Sequence, residues 1–414
     1  MNISKALKQD KAVFLQNAGL YIFAAALPFS VSLIQGGILL FIAAGLWRRY
    51  RPGNIKSVPS ELRGNPLFLP WLAYLGAGLL AAIFGAAPGH SLTALNSDLL
   101  TVVVFAGLCL FLEPERREAA LKIYLAALTA AAAFGIWQSL TALLSGLDVR
   151  AHAAVHPVRF GEMMVIGLSL ALARISAPPA SAPGSVKSIY AAAFTILSAI
   201  VLSQTRSAYL ATGLVFASLL LIRRPPKRVI FIFILAGLLL AAALSLMNPA
   251  IGQKIFSIRQ GFRSAISASE MAPDRSIGTR RTLWKAGLAM IQDRPLLGAG
   301  PGGVKKLFLR YVDGPPPEGK VWGSLHNLYI HQAAERGLVG LAALLALFSG
   351  MFLVSLRNFR ASPSELTLWP LAIMPAWFLM NFTEISFQHV HTSYAVLFAL
   401  AVSFSGAKVK QPPL

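Results

Sequence analysis

Cysteine is all but missing from this chain: Cys109 stands alone among 414 residues. One thiol cannot close an internal disulfide or furnish a cysteine metal centre, so neither a disulfide framework nor a zinc-stapled fold is open to it. Its place inside an apolar run reads as packing. Charge is scarce as well, at 13% of residues against 56% hydrophobic, a balance too apolar for a domain surrounded by water. Acids are the scarcest charge, 16 Asp and Glu facing 37 Lys and Arg, for a net charge of +21. Such a surplus suits nucleic acid. Here, however, the basic residues punctuate hydrophobic runs and build no soluble basic face with base-stacking aromatics, which excludes that partner.

What the chain has in excess is apolar length. Runs near the length that crosses about 30 Å of hydrocarbon recur from end to end, among them 67–86, 229–247 and 338–354. The pair 189–202 and 208–222 is shorter and spans only by enlisting flanking polar residues or tilting little. The first run, 14–32, follows Lys5, Lys8 and Lys11 and imitates a signal peptide, but 33–47 re-enters at once with no A-x-A-like site between them. A retained hairpin is expected. Basic clusters at Arg48, Arg49 and Arg51, at Arg116 and Arg117, at Arg223, Arg224, Lys227 and Arg228, and at Arg357 and Arg360 fall in every second loop. The positive-inside rule assigns those loops to the cytoplasm. The expectation is an all-α integral membrane protein of about twelve transmembrane helices with both termini cytoplasmic. It divides into helices 1–9 over 1–247, a long, partly helical periplasmic loop over 248–337, and helices 10–12 with a short tail over 338–414.

Outside the long loop, this topology leaves Arg150, Arg159 and Arg206 on the outer side, and a cation placed against its topological preference needs a reason. All seven histidines, His90, His152, His156, His326, His331, His389 and His391, fall there too. Any one of them is explained by hydrogen bonds to headgroups or water; the gathering says more than its members. The outer acids Asp148, Glu162, Glu270, Asp274, Asp293, Asp313, Glu318, Glu335 and Glu384 are scattered and include no D-x-D pair. His389-Val390-His391 offers two nitrogens with nothing nearby to complete a shell, so no metal is expected.

Within the long loop, 279–293 is expected to be a helix with Thr279 as N-cap, ended by Pro295. Leu283, Trp284, Gly287, Leu288 and Ile291 share one face at helical spacing. Arg280 lies a turn ahead on that stripe and is expected to point inward, whereas Arg281 aligns with Lys285 toward water. The run Leu297-Gly298-Ala299-Gly300-Pro301-Gly302-Gly303 lacks the lysine and hydroxyl spacing of a phosphate loop and reads as a tight reversal between helices. The loop closes with Ser324-Leu325-His326-Asn327, nine residues, then Gly337-Leu338-Val339-Gly340.

That H-N-x9-G-x-x-G spacing resembles the signature of the bacterial O-antigen ligase family, the WaaL-like members of the wider Wzy_C group. Gln204-Thr205-Arg206-Ser207 is similar to the family's arginine between two spans, Arg280 with Leu283-Trp284 to its R-x-x-L-W loop helix, and Asp293-Arg294-Pro295-Leu296-Leu297-Gly298 to its D-x-P-L-x-G turn. The resemblance implies a GT-C-like glycosyltransferase of the Gram-negative inner membrane. Its implied donor is undecaprenyl-diphosphate-linked O-antigen, its acceptor the lipid A core oligosaccharide, and it needs no cofactor. Membrane lipids are its remaining partners.

The residues suit that chemistry on independent grounds. A departing diphosphate needs charge stabilisation and an attacking hydroxyl needs a base. Arginine forks onto two phosphate oxygens, which favours Arg206 first, then Arg280 and Arg159. An imidazole takes a proton near neutral pH, and His326 stands at the water boundary. Glu162, three residues after Arg159, is expensive in a span unless paired, and those two are placed to pair with each other. Arg281, Asn327, Glu162 and Glu384 complete the candidates. The rival readings are an O-antigen polymerase or protein O-oligosaccharyltransferase using the same donor and, from another class, a twelve-helix secondary transporter. The last would need inverted repeats and midplane charges, which the sequence does not display.

Overall fold

The structure, a computed structural model, describes residues 3–50, 62–147, 149–177, 186–223, 227–247 and 275–406. Arg51, Asp148, Arg224, Glu270, Asp274, the 248–274 part of the long loop and the tail beyond residue 406 lie outside them. Among the described residues the secondary structure is helical throughout, with turns between. In chain order the helices are α1 (Ile3–Ala26), α2 (Val31–Arg49), α3 (Phe68–Phe84), α4 (Pro88–Ala94), α5 (Asn96–Phe111), α6 (Pro114–Leu144), α7 (Pro157–Ser176) and α8 (Val186–Leu202). Then come α9 (Arg206–Ile222), α10 (Lys227–Met247), α11 (Arg275–Asp293), α12 (Gly303–Leu307), α13 (Leu328–Ala361), α14 (Glu365–Thr383) and α15 (Val390–Gly406).

Five segments, Val31–Arg49, Pro88–Phe111, Pro114–Leu144, Leu328–Ala361 and Glu365–Thr383, are long and apolar enough to cross a membrane, and four shorter apolar helices accompany them. The chain is a multi-pass membrane protein. Its exterior agrees, since Leu69, Phe84, Trp137, Leu221 and Leu353 are exposed on helix faces that lipid can cover.

α7 is the axis of the bundle. Every residue from Phe160 to Arg174 is buried, and α8, α9, α14 and α15 all pack on it. Its first turn is set by sequence. Pro157 sits at the first helical position, where a missing N–H costs nothing, and the His156 ring accepts from the Val158 amide at 3.3 Å. Trp369 of α14 donates to the Ile166 carbonyl at 3.1 Å, tying the two helices mid-bundle.

α13 is two helices in one. Gly337 has φ 65° and ψ −171°, conformations closed to other residues, so the helical backbone stops and restarts there. The glycine-rich run satisfies the freed groups: Ala299 and Gly300 donate to the carbonyls of Ala334 and Glu335 at 2.9 and 2.8 Å, and Leu338 donates to Pro295 at 2.8 Å. A Cβ on Gly298 would stand 2.5 Å from the Glu335 carbonyl carbon, which is why this reversal is glycine-rich. The two glycines of the G-x-x-G spacing thus serve backbone geometry, Gly337 as the break and Gly340 by leaving space for the Arg336 side chain.

Against expectation, α11 starts at Arg275, not Thr279, so Thr279 is interior and caps nothing. Its buried stripe is Leu283, Ala286, Gly287 and Met290, packed with Phe308, Leu325 and Ala334, while Leu288 is exposed and Trp284 half-buried. The apolar face is rotated because alanine and methionine face α13, on which α11 packs.

Candidate functional site

The site is assembled from three turns and one loop helix. His326 lies in the turn before α13 with φ 48°, a left-handed conformation uncommon for a residue with a side chain. Its amide donates to the Ser324 hydroxyl at 3.1 Å. The next residue, Asn327, caps α13 by accepting from the amides of Tyr329 and Ile330 at 3.0 and 3.1 Å. That carboxamide oxygen is committed to the cap, so Asn327 serves the site by fixing His326, one residue before the helix. The Trp322 ring meets the imidazole edge-on, centroids 5.3 Å apart.

Glu384 supplies the counterpart. It ends α14 as C-cap, and both its carboxylate oxygens lie 2.9 Å from His326 Nδ1. Arg280 of α11 reaches the same carboxylate, with Nη2 3.6 Å from Oε1, so the inward reading of Arg280 holds. Burial pushes the Glu384 carboxyl up, but the hydrogen bond from His326, the His326 charge and the Arg280 charge more than offset it and hold the group below the usual carboxylate range. An Nδ1–H donated to a carboxylate leaves the lone pair on Nε2, the arrangement of a base oriented by an acid.

The turn from Glu384 to His389 is held on several sides. Phe387 donates its amide to Asn381 at 2.9 Å, Thr392 donates to the Ser386 carbonyl at 2.6 Å, and the Ser386 hydroxyl donates to Glu162 Oε2 at 2.7 Å. Glu162 is fully buried in the second turn of α7, and its other oxygen has no hydrogen-bond partner among the described residues. The expected pair between Arg159 and Glu162 does not form: the carboxylate faces Ser386, and Arg159 is exposed and makes no ion pair among the described residues. The Arg159 charge is felt at His389 instead. Burial, then that charge, push the His389 imidazole down to about 3, so it stands neutral at ordinary pH.

Arg206 opens α9 and is half-buried. Its turn is tethered by Arg150, a residue the sequence marked as a topological exception without giving it a role. Arg150 Nε donates to the Ser203 carbonyl and Nη2 to the Thr205 hydroxyl, both at 2.8 Å. Gln204 in that turn has φ 48°. A Cβ on Gly161 would stand 2.8 Å from Ser203 Oγ, so the start of α7 lies directly against the Arg206 turn.

His326 and Arg280 therefore both contact Glu384, and Glu162 is tied to the same turn through Ser386. Arg159 and Arg206 stand on the elements packed beside them, and Arg281 is half-buried one residue beyond Arg280. Among the described residues no group of three or more His, Cys, Asp or Glu side chains is arranged to hold a metal. The arrangement can do two things. It can take a proton at His326 Nε2, and it can bind an anion through guanidinium groups gathered beside that ring.

Comparison with known proteins bears on the same segment. Residues 191–345 match the family model Wzy_C, O-antigen ligase, so over this stretch the chain is similar to that family. The match runs from α8 into α13 and includes Arg206, Arg280 and His326; Arg159, Glu162 and Glu384 come from outside it. No curated protein matches the chain.

Proposed function

We propose that this chain is an O-antigen ligase, transferring a polysaccharide from undecaprenyl diphosphate to a lipid A core sugar at the periplasmic face of the inner membrane. The observation that carries the reading is the His326–Glu384 pair, with Nδ1 held at 2.9 Å from both carboxylate oxygens beside Arg280. In this reaction the acceptor hydroxyl oxygen attacks the anomeric carbon of the donor sugar. Its proton passes to His326 Nε2 and then to water. The bond from that carbon to the diphosphate breaks, and the electron pair leaves with the undecaprenyl diphosphate.

Glu384 holds the imidazole in the right tautomer and stabilises it once protonated, while Arg206, Arg280 and Arg159 take up the charge on the leaving group. A single preorganised donor is worth about 3 to 4 kcal/mol elsewhere, and general-base help is worth about 10² to 10⁴ in rate. No carboxylate stands as an obvious nucleophile for a two-step route, and a direct displacement inverts the anomeric centre. Twelve crossings with both termini cytoplasmic place all of these groups on the outer side, where donor and acceptor meet.

Purified protein, carrier-linked glycan and lipid A core, mixed without ATP, test the proposal. Modified core is the expected product, and His326→Ala is expected to slow its formation by about 10² to 10⁴. Elongation of carrier-linked glycan with the core left bare would instead make the protein a polymerase, and glycan on a protein acceptor would make it an oligosaccharyltransferase.

A further inference from the structure

Just before the break in α13 lies a charge network that the His326 site does not use. Arg336, 2% exposed, forms an ion pair with Asp98 of α5, a residue with its own carboxylate 8% exposed. The Arg336 guanidinium carbon stands 4.7 Å over the Tyr74 ring of α3, and the Tyr74 hydroxyl donates to the second Asp98 oxygen at 3.3 Å. Glu335 beside it accepts from the Val304 amide at 3.3 Å, locking the glycine-rich run to the same place. Arg336 Nε and Nη1 have no hydrogen-bond partner among the described residues.

A buried ion pair with donors unmatched contributes little stability, and apolar residues of similar volume often serve as well or better. Its placement supplies another reason for it. Residues 328–336 form a rigid rod with His326 and Asn327 at one end and Arg336 at the other, and Gly337 is the joint about which that rod would pivot. The rod is about 13 Å long at 1.5 Å per residue, so a pivot of roughly 5° moves His326 by about 1 Å. Displacements of that size at a reacting group cost on the order of 10² in rate.

We propose that the Asp98–Arg336 pair is a clamp that holds His326 in register with Glu384 and the arginines, which makes both of its members positioning residues. The inference rests on the reading of His326 as the base. The decisive variant replaces both members, Asp98→Leu with Arg336→Met, in the full-length protein. The expected result is a thermal midpoint at or above wild type, a kcat lower by about 10²-fold and a KM for the lipid-linked donor within about twofold. Diethyl pyrocarbonate should modify His326 faster, read by peptide mass spectrometry, while His156 reacts at its wild-type rate.

A merely structural pair predicts the same midpoint but wild-type kcat and His326 reactivity in the double variant, and that result overturns the clamp. Should the double variant not fold, Arg336→Lys decides, because it keeps the charge and loses the fork: lowered kcat at an unchanged midpoint supports the clamp, and wild-type kcat overturns it. If the wild-type protein transfers no glycan, the ligase reading falls by itself. The modification rate at His326 then still decides the clamp, faster in the variants if it exists and unchanged if it does not.

Discussion

Where α2 stops and α6 begins, three guanidinium groups lie hard against carboxylates. Arg48 and Arg116 sit 2.7 and 2.6 Å from Glu113, and Arg174 sits 2.7 Å from Glu118. At the opposite end of the bundle Arg280 stands back at 3.6 Å from Glu384, and Arg159 is exposed without an ion pair among the described residues. Burial raises Glu113, but hydrogen bonds from Arg48 and Arg116 outweigh it and hold the carboxyl low. Around Glu113 and Glu118 the charges close on one another. The opposite end keeps positive charge in hand, which is what an anionic ligand requires and what a merely structural end would have neutralised.

That contrast can be broken most severely at His326. His326→Ala is expected to lower the transfer rate by about 10² to 10⁴ with membrane insertion intact, measured with purified enzyme and carrier-linked glycan. Glu384→Gln keeps the imidazole and removes its orientation and counter-charge, so a smaller loss of about 10- to 100-fold is expected. Because Glu384 is held below the usual carboxylate range, it stays ionised through neutral pH and loses its charge only in acid. The wild-type rate should therefore fall on the acid side, and a Gln variant with an identical acid limb would remove Glu384 from that account.

Arg280→Ala should cost up to about 10² in kcat/KM for the donor, with Arg281→Ala milder, and equal effects would undo the inward assignment of Arg280. At the closed end the expected effect is on stability alone. Arg174→Leu removes a nearly buried guanidinium from a partly wetted Glu118, costing about 1 to 2 kcal/mol in unfolding free energy with kcat per folded molecule unchanged. The open end should in addition soften in acid. His389 is depressed to about 3, so the fold favours its neutral form; this contribution is complete above the ordinary histidine range and fades as pH falls toward 3. His389→Gln should flatten that slope in thermal melts.

Much of this arrangement was legible in the chain. Hydrophobic runs located the helices because a lipid-facing helix is apolar along its whole length, and a helix occupies each run read as a span. His326 and Arg280 were found by spacing within short, local motifs. Glu384 was marked only as a minor candidate, because its meaning depends on His326, a partner 58 residues earlier in the chain. Arg150 announced itself by its place in the topology, but nothing local says that it would hold the turn before Arg206. Nothing local in the sequence joins Asp98 to Arg336, although an acid within an apolar span demands a partner. The rotated stripe of α11 failed for a related reason: alanine and methionine do not advertise a buried face as loudly as tryptophan does.

The broken α13 also bears on how the molecule is made. Residues 338–361 alone reach roughly 36 Å, enough to cross the bilayer, so the rod before them need not enter it and can be exported with the loop. Asp98 has no such freedom. It belongs to α5, and Arg336 is synthesised 238 residues later, so for most of translation an acid waits in the membrane without its cation. A chain stopped before residue 328 should accordingly be a ready target for membrane proteolysis in a pulse-chase experiment, and Asp98→Leu should prolong its life. The Asp98–Arg336 pair is thus a contact that can close only late in synthesis.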